Sequence, residues 1–261
     1  MLADVRQRRI VELVERFGWV EVGELASSLD VSQVTVRRDL DLLDKLNLLE
    51  RRRGGAVSVN APFEVESTYQ DKSQENLEAK QRIAKRAVSL ISPGMSLFLD
   101  AGTTVFEVAK RLEKIRNLTV ITNDLKTALH LCSLPVTLYF LGGLVQPETG
   151  SVIANVGDGA FDFSVDISFI GARTIDDDYE TFTPTSFKAG LKRLVRKKAR
   201  HSYLLVDHSK FHKRAIFRVD PLSAYSGVIT DKTFSSAERS ELKAKGVHII
   251  SVAEEEGTWR D

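Results

Sequence analysis

A single cysteine, Cys132, stands in the whole chain, and that scarcity excludes an intramolecular disulfide. It fits a reducing, cytoplasmic setting. At the end of an apolar helical stretch, followed by Ser133-Leu134-Pro135, its thiol is expected to be buried and structural. No Cys/His cluster has zinc spacing, so no metal or other cofactor is expected. Long apolar runs are missing as well. None nears the roughly 20 residues of a membrane helix, and Met1-Leu2-Ala3-Asp4-Val5-Arg6 lacks the apolar segment of a signal peptide, so no membrane partner is expected. There is no Gly-x-Gly-x-x-Gly after the first long strand and no Walker A lysine loop, which argues against dinucleotide and ATP sites. An excess of one charge is absent too. The net charge is +1, and residues 1–60 hold ten Lys/Arg against ten Asp/Glu. Any binding of nucleic acid must therefore rest on where the charges sit.

They sit unevenly. Arg6, Arg8 and Arg9 open the chain, Arg37 and Arg38 share one helical stretch, and Arg51-Arg52-Arg53 follow it. In that stretch Ser32 is a good N-cap, and Val36, Leu40 and Leu43 recur at i, i+4 and i+7. Val34, Arg38, Asp41 and Lys45 project from the opposite side, with Gln33, Thr35 and Arg37 on the flanks. Arg can bond guanine, Gln can bond adenine, and Thr can touch a phosphate or a thymine methyl. Such a helix suits a major groove, although an ordinary amphipathic helix with a solvated face has the same pattern.

Its neighbours narrow the choice. Val5, Ile10, Leu13, Val14 and Phe17 predict a first helix that Gly18 stops, and Val20 and Val22 alternate as in a minimal strand. A second helix is expected over 22–29, and Asp30-Val31-Ser32 makes a tight turn into the third, a helix-turn-helix arrangement. Two extended pieces around Arg51-Arg52-Arg53-Gly54-Gly55 then read as a β-wing whose arginines reach phosphates. Residues 6–57 resemble the winged helix-turn-helix of DeoR-family bacterial repressors. Arg9-Ile10, Val22-x-Glu24-Leu25-Ala26, Val31-Ser32 through Leu40, Leu43 and Gly54-Gly55-Ala56 carry the likeness, with Arg53 where the family commonly has histidine.

Residues 58–78 are polar and read as a linker between a DNA-binding domain at 1–57 and an α/β domain at 79–255. From Ser92-Pro93-Gly94 onward, strand and helix patterns alternate, which predicts a mainly parallel sheet covered by helices. Ligands sit outside the carboxyl ends of such strands. The small and polar residues gather there: Asp100, Gly102, Thr103 and Thr104; Thr122 and Asn123; Gly142 and Gly143; Gly171; Asp207 and Lys210. Thr103 and Thr104 stand beside the amides of a helix start, and Lys192 or Lys210 can add positive charge, so a phosphorylated small metabolite is the expected ligand. Any one of these turns can also be plain turn chemistry.

This half resembles the effector domain of the same family, related in fold to ribose-5-phosphate isomerase. The matching segments are Asn76 to Ala84, Asp100-x-Gly102-Thr103-Thr104, Thr122-Asn123, Leu141-Gly142-Gly143, Phe169-Ile170-Gly171-Ala172, Lys192-Arg193 and Asp207-x-Ser209-Lys210-Phe211. The resemblance implies a repressor of carbohydrate-metabolism genes that binds a double-stranded operator as a dimer or tetramer and leaves it when a sugar phosphate binds. The segment after Ala172 departs from the family's Asp-Pro-x-x-Gly-Leu-Thr type, and Lys188 and Gly190 stand at usually acidic positions. The basic run from Lys188 to Arg200 reads mostly as a solvated helix face. Two other readings stand beside the repressor. One is a sugar-phosphate isomerase with an accessory DNA-binding head, Asp100 and Asp207 supplying acid/base groups. The other is a scaffold with a vestigial pocket.

Overall fold

A computed structural model describes residues 3–17, 19–46, 48–52, 54–57, 69–147, 149–153, 162–213 and 215–252. The chain divides into two units, Met1–Glu66 and Ser67–Asp261, each treated by itself.

In the first unit the helical spacing of Ile10 and Val14 gives α1 (Ala3–Phe17), and a short strand β1 (Trp19–Glu21) runs into α2 (Val22–Leu29). The turn to α3 (Gln33–Lys45) puts Asp30 at φ 53°, a left-handed conformation that Asp tolerates better than most residues. Ser32 then caps α3, its hydroxyl accepting from the Thr35 amide at 3.2 Å. Val36, Leu40 and Leu43 bury their stripe among Ile10, Val14, Leu25 and Leu29. Strands β2 (Glu50–Arg52) and β3 (Gly55–Val57) follow, joined through Gly54 at φ 88°, a conformation that favours glycine. β3 pairs with both β1 and β2, so the minimal strand before α2 is part of the wing sheet.

One acid lies inside this small core. Asp39 of α3 is 5% exposed and accepts from Arg6 Nε at 2.6 Å and Gln7 Nε2 at 2.9 Å. Burial pushes its carboxyl up, but the bonds from Arg6 and Gln7 and the charge of Arg6 outweigh that and hold it below the usual carboxylate range. The contact fastens α3 to α1, so Arg6 is structural and not a free basic group.

The second unit opens with α4 (Tyr69–Gln74) and α5 (Leu77–Val88). Then come β4 (Ser96–Leu99), α6 (Thr103–Ala109), β5 (Thr119–Thr122), α7 (Leu125–Leu131), β6 (Thr137–Phe140) and a small hairpin of β7 (Leu144–Val145) and β8 (Val152–Ile153). The remainder is β9 (Val165–Gly171), β10 (Thr174–Ile175), β11 (Glu180–Thr183), α8 (Ser186–Lys198), β12 (Ala199–Leu205), β13 (Phe217–Pro221), β14 (Gly227–Thr230), α9 (Ser236–Ala244) and β15 (Ile249–Ser251). The main sheet runs β15-β14-β12-β9-β4-β5-β6, every pair parallel. Its strands are apolar on both faces. Phe98, Ile121, Ile170, Leu204 and Val228 face a core shared with α8 and α9, and Leu97, Leu99, Val120, Phe169 and Ile229 face α5, α6 and α7. The strand order reverses beside β4, so β4 and β9 flank the topological switch point where α/β sheets take their ligands.

Three expectations change. The linker expected over 58–78 is shorter, because Tyr69–Gln74 is helical and the second unit begins at Ser67. Cys132 is exposed, not buried: it caps the end of α7, one residue beyond Leu131, which takes the core position. The departing segment after Ala172 is ordered into β10 and β11, which pair with β13 in a second, antiparallel sheet. The basic run of α8 braces that sheet. Arg196 Nε donates to Asp220 at 2.7 Å, and Arg193 Nη2 to the carbonyl of Arg218 at 2.8 Å.

Removing Asp39 leaves Arg6 without its anion. Asp39→Ala should cost the first unit about 3 kcal/mol, the lower end for breaking one side of a buried pair, read as a lowered melting transition. Because the folded pKa is depressed, the contribution is in place above the unfolded carboxyl's pKa of about 3.9 and is lost as pH falls through the folded value. The wild-type unit should therefore weaken in that acid range, and Asp39→Ala should have lost this part of the pH dependence.

Candidate functional site

The outward face of α3 has the chemistry of a DNA reader. Gln33, Val34, Arg37 and Arg38 are exposed, and Thr35 is half-buried. Gln33 Oε1 accepts from Arg37 Nη2 at 3.3 Å, which aligns the two side chains along one edge. Arg38 makes no hydrogen bond or ion pair among the described residues. Ser32 is occupied with capping and with the Thr35 hydroxyl at 2.9 Å, so it shapes the start of the helix. The wing arginines differ from one another. Arg51 Nε donates to Asp41 at 2.7 Å and its amide to Asp44 at 2.7 Å, so it braces the wing against α3 and is not aimed outward. Of Arg52 only the backbone, in β2, is described, and Arg53 lies outside the described residues.

In the second unit the strand ends converge as predicted, but several of the expected ligand groups hold one another. Asp100, just past β4, is 3% exposed. Its Oδ2 accepts from the Gly171 amide at 3.0 Å, at the end of β9, and from Lys192 Nζ of α8. Lys192 also donates to the Gly171 carbonyl at 2.8 Å. Its charge is thus held by Asp100 and the Gly171 carbonyl. Thr122 is likewise internal: its hydroxyl donates to Leu99 O at 2.7 Å and accepts from the Asp124 amide at 3.1 Å. Asn123 Oδ1 accepts from the Ala101 amide at 3.0 Å, fixing the turn into α6.

What faces open space is different. A Cβ built on Gly102 meets no atom within 4 Å, and the half-buried Thr103 follows it. Gly142 and Gly143 form an exposed turn after Leu141, whose amide donates to Thr122 O, so they flank the end of β5. Asp207, after β12, is fully buried. Its Oδ1 accepts from Asn76 Nδ2 at 3.1 Å, from the Ser209 amide at 3.0 Å and from the Ser209 hydroxyl. Its Oδ2 has no hydrogen-bond partner among the described residues. Lys210, three residues beyond Asp207, is half-buried, and its charge acts on Lys80.

Lys80, Asn76, Asp124 and Tyr69 were not among the predicted ligand residues. Lys80 is 2% exposed, and its Nζ donates to the Lys72 carbonyl of α4. Burial pulls its pKa down, against the opposing pull of Asp207. A signal was present in the sequence: Lys80 occupies a core position of α5 beside Ala79, Ile83, Ala84 and Ala87. Asn76 sits at φ 50° and gives up capping α5 to reach Asp207. Asp124 caps α7 by accepting from the Lys126 and Thr127 amides at 2.8 and 3.0 Å, yet burial still pushes its carboxyl up. Tyr69 lies edge-on to Phe106 with Lys126 Nζ 4.0 Å from its ring centre, and burial beside Asp124 and Glu107 raises its phenol. So α4, the first helix after the DNA-binding unit, packs over the starts of α5, α6 and α7. No group of three or more His, Cys, Asp or Glu among the described residues is placed to hold a metal, and no described helix is long and apolar enough to cross a membrane.

Comparison with known proteins agrees with both halves. Residues 6–61 match the DeoR-like helix-turn-helix domain, and residues 75–232 match the DeoR C terminal sensor domain. The HTH-type transcriptional regulator GlpR of Haloferax volcanii is 34% identical over 251 residues, 96% of this chain and 98% of that one. The glycerol-3-phosphate regulon repressor of Escherichia coli K12 is 34% identical over 232 residues, 87% of this chain and 90% of that one. The HTH-type transcriptional regulator FruR of Bacillus subtilis is 32% identical over 243 residues, 93% of this chain and 94% of that one. Among solved structures, ribose 5-phosphate isomerase A from Methanocaldococcus jannaschii overlaps 52% of this chain and 55% of its own, at 21% identity and a TM-score of 0.39, a likeness too slight to bear on function. With a DNA-reading head and a sensor domain both matched, the chain belongs to the DeoR family of transcriptional regulators.

Proposed function

We propose that this regulator is a cytoplasmic repressor of carbohydrate-metabolism genes, released from a two-fold operator when a phosphorylated sugar or related metabolite enters the switch-point end of its parallel sheet. The observation that carries the ligand is Asp207 Oδ2. A buried carboxylate oxygen without a donor is costly, and a sugar hydroxyl is a fitting donor. Gly102 lets a ligand approach the backbone of the β4–α6 turn, and Thr103 and the half-buried Lys210 supply polar and cationic groups that suit its phosphate. The names of the relatives, a glycerol-3-phosphate regulon repressor among them, support that class of effector.

On DNA, Gln33, Val34, Thr35, Arg37 and Arg38 enter the major groove, Ser32 lies toward the backbone, and Arg51 holds the wing in place. Coupling follows from the order of the chain. The segment that leaves the DNA-binding unit becomes α4, which packs over the proposed pocket. A ligand that favours one arrangement of α4 shifts the population of heads able to span two half-sites. An isomerase is less well supported, because Asp100 is bound to Lys192 and the Gly171 amide and is not free to act as a base.

Three measurements test this. A thermal-shift screen against pentose, hexose and triol phosphates should give a hit, with about 2.7 kcal/mol of stabilisation at a ligand concentration 100 times its dissociation constant. The same hit should loosen operator DNA and show no turnover; stabilisation without any effect on DNA would count against the repressor reading. Gly102→Val should fold normally, since the added side chain starts in open space at a φ of 164° that any residue adopts, but should lose the ligand-induced shift. A retained shift would move the ligand elsewhere. Arg38→Ala should weaken operator binding by about 1–3 kcal/mol at fixed salt, measured by fluorescence anisotropy, with the second unit unchanged. Unaltered affinity in the folded variant would displace Arg38 from the interface.

A further inference from the structure

Among the described residues, the main sheet ends on an unguarded strand. β6 pairs with β5 on one side and forms the edge of the sheet on the other. Its residues, Thr137, Leu138, Tyr139 and Phe140, include no charge and no proline. Natural edge strands are usually blunted by lysine, proline, a bulge or a covering segment, because an open apolar edge invites another strand. Here Tyr139 is 58% and Phe140 40% exposed.

The neighbouring surface is apolar as well. Leu125 and Leu129, at i and i+4 on α7, and Leu144 and Val145 of β7 are all exposed. These six account for all but Phe187 and Ile216 of the exposed large apolar side chains in the second unit, among the described residues. The elements that carry them adjoin. α7 packs on β6, β7 follows β6 directly, and the Leu125 amide donates to the Gly150 carbonyl in the turn of the β7–β8 hairpin.

We propose that this edge is the dimer interface of the regulator. Two copies would meet β6 to β6 about a two-fold axis, joining their main sheets, with Leu125, Leu129, Leu144 and Val145 packed across the seam. The size fits one further copy of this chain. If each of the six side chains buries roughly 100 Å², about half of what a large side chain can, the patch offers about 600 Å² per protomer before any backbone is counted. Stable complexes use about 800 Å² per partner, and a monomer rarely leaves a larger apolar patch bare. A two-fold contact is self-complementary, so a surface without charge needs no separate partner of opposite sign. The two-fold operator of the proposed function calls for such a pair of heads. The interface itself does not depend on which effector is sensed.

The test is the mass of the full chain in solution at micromolar concentration, by sedimentation equilibrium. The wild type should be a dimer or an even multiple of one. Tyr139→Lys combined with Leu144→Glu should halve that mass, and Leu129→Glu, on a different element, should shift it in the same direction. All of these side chains are exposed, so melting curves should show folded protein. Phe187→Lys, away from the edge, should leave the mass unchanged. The monomeric variant should keep its affinity for a single half-site and lose at least tenfold on the paired site. A monomeric wild type, an unchanged mass in folded edge variants, or dissociation caused only by Phe187→Lys would overturn the proposal. A dimer that responds to no sugar phosphate would count against the effector reading and leave the interface standing.

Discussion

The contact between Asp100, the Gly171 amide and the Lys192 ammonium sets the geometry of the sensor unit. It joins the ends of β4 and β9, the two strands at the reversal of strand order, to the helix α8. Each group is nearly or partly buried, so none can be left alone. A lone carboxylate or ammonium at this depth would face a desolvation penalty of several kcal/mol, while together with the Gly171 peptide they satisfy one another. The rest of the strand-end layer is built outward from this point. Asn123 holds the turn after Asp100 through the Ala101 amide, and Thr122 ties β5 to β4 through Leu99. Outside this frame, Gly102 has open space before it and Asp207 Oδ2 keeps no hydrogen-bond partner among the described residues, the two features on which the proposed ligand site rests.

The DNA-binding unit relies on a similar device at smaller scale. Asp39, held by Arg6 and Gln7, fixes the rotation and position of α3 from within the core. With its back buried and its start capped by Ser32, the helix can present Gln33, Val34, Arg37 and Arg38 without spending them on its own stability. In both units acids and bases that resemble functional groups turn out to be frame.

Much of the fold was legible in the sequence because period and burial coincide. The alternation of strand and helix, the capped third helix and the turn at Gly54 all follow from local rules that packing then reinforces. Elements with short or mixed signals were not legible. β10, β11 and β13 are brief and pair across long separations, and they cover the basic face of α8 that looked solvated. α4 lies in a polar stretch whose helix is favoured by packing on α6, a tertiary effect. At the proposed site, residue types pointed to the strand ends but not to the hydrogen bonds that several of them make with one another. Both Lys192, spent on Asp100, and Lys80, the buried amine beside Asp207, fall at core positions of their helices, and only the way the helices meet over the sheet decides their partners.

Linkage tests most directly the proposal that one small ligand and one operator compete through a shared change in this chain. The dissociation constant of a sugar phosphate should be measured by calorimetry on the free protein and on the protein saturated with operator DNA. Ligand binding should be weaker on the operator complex, by the same factor by which the ligand weakens operator binding. Equal ligand affinity in the two states would contradict it.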